Sequence, residues 1–368
     1  MAVDVVVIGA GLVGTLAALR LAQRGLSVTV LERGEPGAEA SCAAAGILAA
    51  QAEAPTGALF DLGLESRDLH LRLAEELKER TGLDVGLRRG GILEVATEPS
   101  SLERYRAAVD LQRSRGLEAE LLTAEAVRER EPSLALPALG GAYFPRDAQL
   151  DPVALARASA QAAARAGVTL RLGVEARRLA SDGSRVTGVE TQAGTVPAGA
   201  VVVCAGAWSS ALLPEVSGGV RVGPARGQVA SLAALPVPLG SVVFGPSGYL
   251  VPRPEGAVWA GSTVEFVGFE RGVTTQGLAG ILSMAQSAVP SLAGARVLGS
   301  WSGFRPWTSD LLPVLGACAL DGLYAATGHF RSGILLAPVT AEIVAELVTT
   351  GRSSRPLGDY SPARIAPR

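Results

Sequence analysis

Basic catalytic side chains are scarce in this chain of 368 residues. Lys78 is its only lysine, and His70 and His329 are its only histidines. A Schiff-base enzyme needs a buried lysine. Lys78 lies in RDLHLRLAEELKER, where Leu69, Leu73 and Leu77 share one helical face and Lys78 falls off it. It therefore reads as solvated. A Ser-His-Asp triad would have to use one of the two histidines. Cysteine is equally sparse: Cys42, Cys204 and Cys318, with no C-x-x-C pair. That odd, scattered set forms no disulfide framework and fits a reduced cytoplasm. With only two histidines beside it, no metal site is expected.

Charge of either sign is not in excess. The net charge of −2 gives no electrostatic case for nucleic acid or an acidic membrane surface. Nor does the start, MAVDVVVIG, look like a targeting segment. It runs straight into a strand and carries Asp4 where a signal peptide would want positive charge. Two long uncharged stretches, Thr191 to Pro214 and Gly227 to Pro252, are broken by Gly, Pro and Ser. They read as buried strands and loops, and no membrane span is expected.

The length suggests about two domains, and a hydrophobic fraction of 48% makes a large core easy to bury. VDVVVI, residues 3–8, is the unbroken apolar run of a strand covered on both faces. GAGLVG follows, then TLAALRLAQRG with helical spacing and Gly25 as its stop, then LSVTVLE closing on Glu32. This is a βαβ unit. Downstream, the spacing predicts a helix over about 66–80 stopped at Gly82, and a strand in GGILEVA. A helix capped by Ser101 runs to about Ser114, and a short one is capped by Thr123. Asp151 and Pro152 are a good cap and first residue for the helix of DPVALARASAQAAARAG. From about Gly219 to Gly299 the text turns to short β runs with one helix near residues 276–288.

Gly9, Gly11 and Gly14 form G-x-G-x-x-G between strand and helix. The first permits the tight turn and the second lets a pyrophosphate approach the backbone. The third lets the helix lie close on the strand. The helix N-terminus would face the phosphates, and Glu32 at the end of the second strand can accept hydrogen bonds from a ribose. The motif predicts a dinucleotide and leaves NAD and FAD open. Near the other end, ATGHFRSGILLAP is a second strand–turn–helix with Gly328 and Gly333. A helix N-terminus there would stabilise the negative charge of a reduced flavin ring. A loop that only caps the last helix is the plain alternative.

SWSGFRPWTSD sets Arg305 between two tryptophans, with Phe304 and Pro306 beside it. A guanidinium is costly to bury unpaired. Either Asp310 pairs with it internally, or a carboxylate arrives from outside and is gripped by two parallel hydrogen bonds.

Taken together, VVVIGAGLVGTLAALRLAQRGLSVTVLERG, SCAAAGILAAQAE, VVVCAGAWS, GYLVPRPEG, WSGFRPWTSDLLPVLG and GHFRSGILLAP resemble the FAD-dependent D-amino acid oxidase family. Within it they are most similar to the glycine-oxidising branch that serves thiazole synthesis for thiamine. The likeness runs collinearly over nearly the whole chain, and the last two segments are its most specific part. It implies an α/β fold with two parts. A discontinuous Rossmann-like FAD-binding domain takes 1–84, 145–218 and 300–368. A substrate domain on an antiparallel-rich mixed sheet takes 85–144 and 219–299.

The activity it implies is oxidation of glycine or a related small amino acid to the imine. Oxygen accepts the electrons to give hydrogen peroxide, and the imine hydrolyses to a 2-oxo acid and ammonia. D-amino acid oxidase, a sarcosine-type N-methyl amino acid oxidase, a dehydrogenase using another acceptor, and a flavin-binding scaffold stand as alternatives. Arg305 would clamp the substrate carboxylate, Tyr249 would offer it a hydroxyl, and Arg331 would lie near substrate and flavin. Non-covalent FAD would contact Leu12, Val13, Glu32, Arg33, Ala40, Ser41, Ala45, Gly46, Ile47 and Val174. To these are added the motif residues Gly9, Gly11 and Gly14, then Ala205, Gly206 and Trp208. The last contacts are His329, Phe330, Arg331, Ser332, Gly333, Ile334 and Leu335. The context of Cys318 does not match relatives that attach flavin covalently. No acid or base is required: a neutral amine held with its Cα–H toward the flavin suffices, which suits a chain this poor in His and Lys. A homodimer or homotetramer is the implied assembly. Tyr249 as a core strand residue, Arg331 as a holder of the turn, and His329 as a packed side chain are the plain alternatives.

Overall fold

Val5, Val6, Val7 and Ile8 are all buried, as an unbroken apolar run requires when both faces of a strand are covered. In the computed structural model, which describes residues 2–53, 57–213, 220–236 and 238–364, this strand is central to the first of two large sheets. It pairs in parallel with Val28–Glu32 on one side and Gly194–Val203 on the other. Thr169–Leu172 and Leu323–Thr327 extend the parallel set outward, and Val314–Ala317 closes it antiparallel. A ribbon of Ala176–Ser181 and Val186–Thr191 hangs from Gly194–Val203. The connection from Val3–Ile8 to Val28–Glu32 is the helix Leu12–Gln23, which completes the βαβ unit read from the glycines.

The second sheet is built mostly from the stretch where the sequence turned to short β runs. Its order is Val297–Thr308, Val222–Ala233, Ala257–Gly261, Gly248–Arg253, Val242–Gly245, Ile92–Ala96, Gly140–Phe144 and Glu120–Thr123. Every pairing is antiparallel except that of Val242–Gly245 with Ile92–Ala96. The mixed, antiparallel-rich sheet beside a Rossmann-like one is the fold class expected. The boundary placed at residue 300 falls inside Val297–Thr308, which pairs with Val222–Ala233 along most of its length. The boundary at 218 lies in 214–219, outside the described residues.

The final long helix, Gly333–Thr350, is apolar enough by length and composition to cross a membrane, yet 67% of it is buried inside the protein. It shares one core with Leu12–Gln23 and the long helix Ala58–Thr81. A core position explains its composition. Ala58–Thr81 ends at left-handed Gly82 as predicted but starts at Ala58, well before Ser66. Gly63 within it faces Ala50 and Leu335, where the helix comes close to its neighbours. The helix capped in expectation by Ser101 begins at Pro99, a first-position proline that the reading passed over.

Candidate active site

Gly9 has a φ of +102°, and a Cβ there would stand 2.5 Å from the carbonyl oxygen of Cys204. Only glycine lets the chain turn here from strand to helix. Gly11 follows on the open side, where the N–H of Leu12 donates to Ser41 Oγ at 2.9 Å. Glu32 closes the next strand, and its carboxylate is fixed by two backbone donors, Ala10 N–H and Gly34 N–H, each at 2.8 Å. It is thereby held in a wall with acceptor capacity left over.

These groups open on a cavity of about 330 Å³ whose walls come from both sheets. Leu12, Val13, Arg33, Ala40, Ser41, Ala45, Gly46, Ile47, Val174, Ala205, Gly206, Trp208 and the run His329 to Leu335 all line it, as do Gly9, Gly11 and Glu32. So do Tyr249, Arg305 and Arg331. The structure therefore brings together residues spread over more than three hundred positions. Gly14 is the exception: it does not line the cavity. A Cβ on it would lie 2.0 Å from the Gly9 carbonyl oxygen, which fits the close approach of helix to strand read from the motif.

The segment 43–52 forms one wall and is pinned from behind. Trp301 Nε1 donates to Ala43 O at 3.0 Å. Arg253, buried and lying 3.8 Å over the Trp259 ring, donates to Ala45 O and Leu150 O. Leu150 N–H donates to Gly46 O at 2.9 Å. Buried Asp147 accepts the N–H groups of Ala50, Gln51 and Ala52 and is paired at 3.0 Å with buried Arg67.

Arg305 stands on the edge strand Val297–Thr308. Asp310 does not pair with it; that carboxylate binds Arg364 at 2.6 Å. Arg305 instead donates to Thr263 O at 3.0 Å and Ser262 Oγ at 2.7 Å, and has no carboxylate partner among the described residues. Its guanidinium lies across Gly227, where a Cβ would come within 2.0 Å of Nη1. Burial pulls its pKa below the ordinary value; Arg331 adds to this, while Tyr249 and Glu53 oppose it. Tyr249 is buried beside it, in van der Waals reach of Gly261.

Arg331 is not free. It forms an ion pair with Glu53, a wall residue the sequence reading missed. Burial raises the Glu53 pKa against the pull of Arg331 and Arg305. The N–H of Glu53 in turn donates to Glu94 at 3.1 Å. Burial chiefly, with the Glu53 and Asp147 carboxylates, pushes Glu94 up to about 7. Next to Arg331, Phe330 N–H donates to Pro306 O at 2.8 Å, which ties the turn 328–333 to the strand of Arg305. His329 is buried, 3.0 Å from Thr340 Oγ1, and burial pushes it down to about 4. It is neutral and packed, not a base facing substrate. Cys318, pushed up to about 12 by burial, lines no part of the cavity.

A family model described as FAD dependent oxidoreductase matches residues 4–347. The chain belongs to the FAD dependent oxidoreductase family. It is 39% identical to a glycine oxidase of Geobacillus kaustophilus over 98% of this chain and 97% of that protein. A crystal structure of glycine oxidase from the same organism superposes with a TM-score of 0.94 at 37% identity, covering 99% of each chain. A bifunctional protein ThiO/ThiG of Nostoc is 37% identical over 98% of this chain, which spans 55% of that longer protein. As a member of the FAD dependent oxidoreductase family the chain needs a long cavity with a ribose acceptor and anion-friendly ends. The residues fit. Glu32 is fixed in the wall, and the helices Leu12–Gln23 and Gly333–Thr350 both open on the cavity with their N-termini.

Proposed function

We propose that this protein oxidises glycine, and related small amino acids, to the imine. Water then releases the 2-oxo acid and ammonia, and oxygen is reduced to hydrogen peroxide. Bound FAD supplies the two-electron acceptor for the amine and the donor for oxygen. The Rossmann-like half would hold it, through Gly9 to Val13, Glu32 and the turn 329–335, and the second sheet would present the substrate. The resemblance of the sequence to the thiazole-serving branch supports a role for the product in that synthesis.

Arg305 carries this reading. It is a cation facing the cavity whose hydrogen bonds go only to neutral acceptors. A substrate carboxylate would complete its coordination with charge-assisted bonds, and Tyr249 would add a hydroxyl donor. Arg331 is already neutralised by Glu53, so one carboxylate site is left and a monocarboxylate is favoured. Phe244, Phe304 and Trp208 keep the walls largely apolar and strengthen the pairing by excluding water. No base is needed for this step, and His329, the one histidine among the described cavity residues, is spent on Thr340.

Two measurements test the proposal. In an anaerobic screen, glycine and small amino acids should bleach the flavin band, and in air the same substrates should yield peroxide stoichiometrically. Bleaching without peroxide would indicate a dehydrogenase; no bleaching by any amino acid would refute the oxidation itself. In Arg305→Ala, loss of a charge-assisted pair worth about 2 to 4 kcal/mol should lower kcat/KM roughly 30- to 700-fold, with FAD still bound. Unchanged kinetics would remove Arg305 from the site.

A further inference from the structure

Pro338 lies inside the helix Gly333–Thr350. A proline has no N–H, so the carbonyl of Ile334, four residues earlier, loses its helical donor. That carbonyl is not left bare. His70, from the helix Ala58–Thr81, brings Nε2 to 2.9 Å from Ile334 O and 3.2 Å from Leu335 O. One turn earlier on the same helix, Ser66 Oγ donates to Leu335 O at 2.6 Å and accepts the N–H of Val339 at 3.3 Å. The hydroxyl thus stands between a carbonyl and an amide that would otherwise bond each other.

All three side chains are buried, and Gly63, two turns before His70, lets the helices come close: a Cβ there would be 3.5 Å from Leu335. Two carbonyl acceptors require the His70 proton on Nε2; Nδ1 has no partner. Burial holds the ring neutral, with its pKa pushed down to about 4. The residues whose carbonyls are gripped, Ile334 and Leu335, together with Gly333, line the cavity.

We propose that His70 and Ser66 are positioning residues for the cofactor. His70 supplies the donor that Pro338 denies the Ile334 carbonyl, Ser66 bridges the Leu335 carbonyl and the Val339 N–H beside it, and together they hold the cavity-lining turn in place from outside the cavity. Neither side chain reaches the cavity wall itself. The proposal rests on FAD occupying the cavity and is independent of which amine is oxidised.

Apoprotein reconstitution tests it, read by the FAD dissociation constant and the bound flavin's absorption band. His70→Leu removes the donor and should weaken FAD binding about tenfold or more and shift the band. His70→Gln keeps an N–H donor of similar reach and should restore both most of the way. Pro338→Ala returns an N–H to the Ile334 carbonyl, so His70→Leu should cost several-fold less in that background. Equal cost in both backgrounds, or a His70→Leu protein with unaltered affinity and band, would overturn the proposal. Should His70→Leu alone fail to accumulate folded, the double variant with Pro338→Ala must fold; if it is equally unfolded, the proposal is wrong. Wild-type apoprotein that takes up no FAD would overturn the cofactor reading and this proposal with it. Wild type that takes it up, beside indifferent variants, would overturn this proposal alone.

Discussion

Gly227 offers no chemistry of its own, yet the guanidinium of Arg305 rests where its side chain would be. Gly227→Ala should therefore push Arg305 off its Ser262 and Thr263 acceptors. The expected outcome is a Michaelis constant for glycine raised about tenfold or more, a cost of about 1.4 kcal/mol or more, while FAD affinity stays within about twofold. Steady-state kinetics and FAD titration of the same variant check it. Arg305 itself was legible because a lone cation among rigid apolar groups asks for a partner. Its two candidate partners were not separable, because Asp310 is near in sequence and Arg364, which takes it, lies far off. Glu53 and Ser262 were missed for the same reason. Neither sits in a pattern, and each matters only through an arginine that the fold delivers from elsewhere. Gly14 was legible as the glycine of close helix-to-strand approach, because its place in the G-x-G-x-x-G spacing sets it on the first turn of the helix facing the strand end.

At the scale of elements, local chemistry read well where a side chain caps. Asp151 Oδ1 accepts the N–H groups of Val153 and Ala154 at 2.8 and 3.1 Å, and Thr123 Oγ1 accepts that of Ala126 at 3.2 Å. Asp151→Ala should cost about 1 kcal/mol. A lowered urea midpoint with unchanged slope is the expected signature. Where an element starts without such a cap, the reading slipped. Ala58–Thr81 has no side-chain cap hydrogen bond at Gly57, and the helix of Pro99 has none at Glu98. The boundary at residue 300 falls within the Arg305 strand. Its ladder to Val222–Ala233, seventy-odd residues earlier, leaves no local trace in a sequence.

The molecule as a whole buries ionisable groups whose titration should mark its acid stability. His70 and His329 both have folded pKa values near 4 against an ordinary 6.5. The unfolded chain binds more protons in that window, so their contribution is complete above about 6.5 and drains away as pH falls toward 4. Glu94 opposes them: raised to about 7 from 4.5, it favours the folded state as pH falls across that interval. Glu53 and Asp147, also raised by burial, act in the same sense as Glu94, while Glu76, Glu265, Asp310 and Glu346, held low by their partners, act with the histidines. A net loss of stability on acidification is the expected outcome, measured as a falling denaturation midpoint between about pH 7 and 4. Glu94→Gln should make that fall steeper.

The cavity draws its two ends from different sheets, and this has a consequence for how the protein can diversify. Phe244 and Tyr249 line the cavity from an antiparallel hairpin of the second sheet, where the proposed substrate would sit, and the βαβ unit lines it from the first. Random libraries restricted to positions 244 and 249 would explore new amine repertoires while the prosthetic group keeps its seat. Inheritance of one end and innovation at the other need not compete.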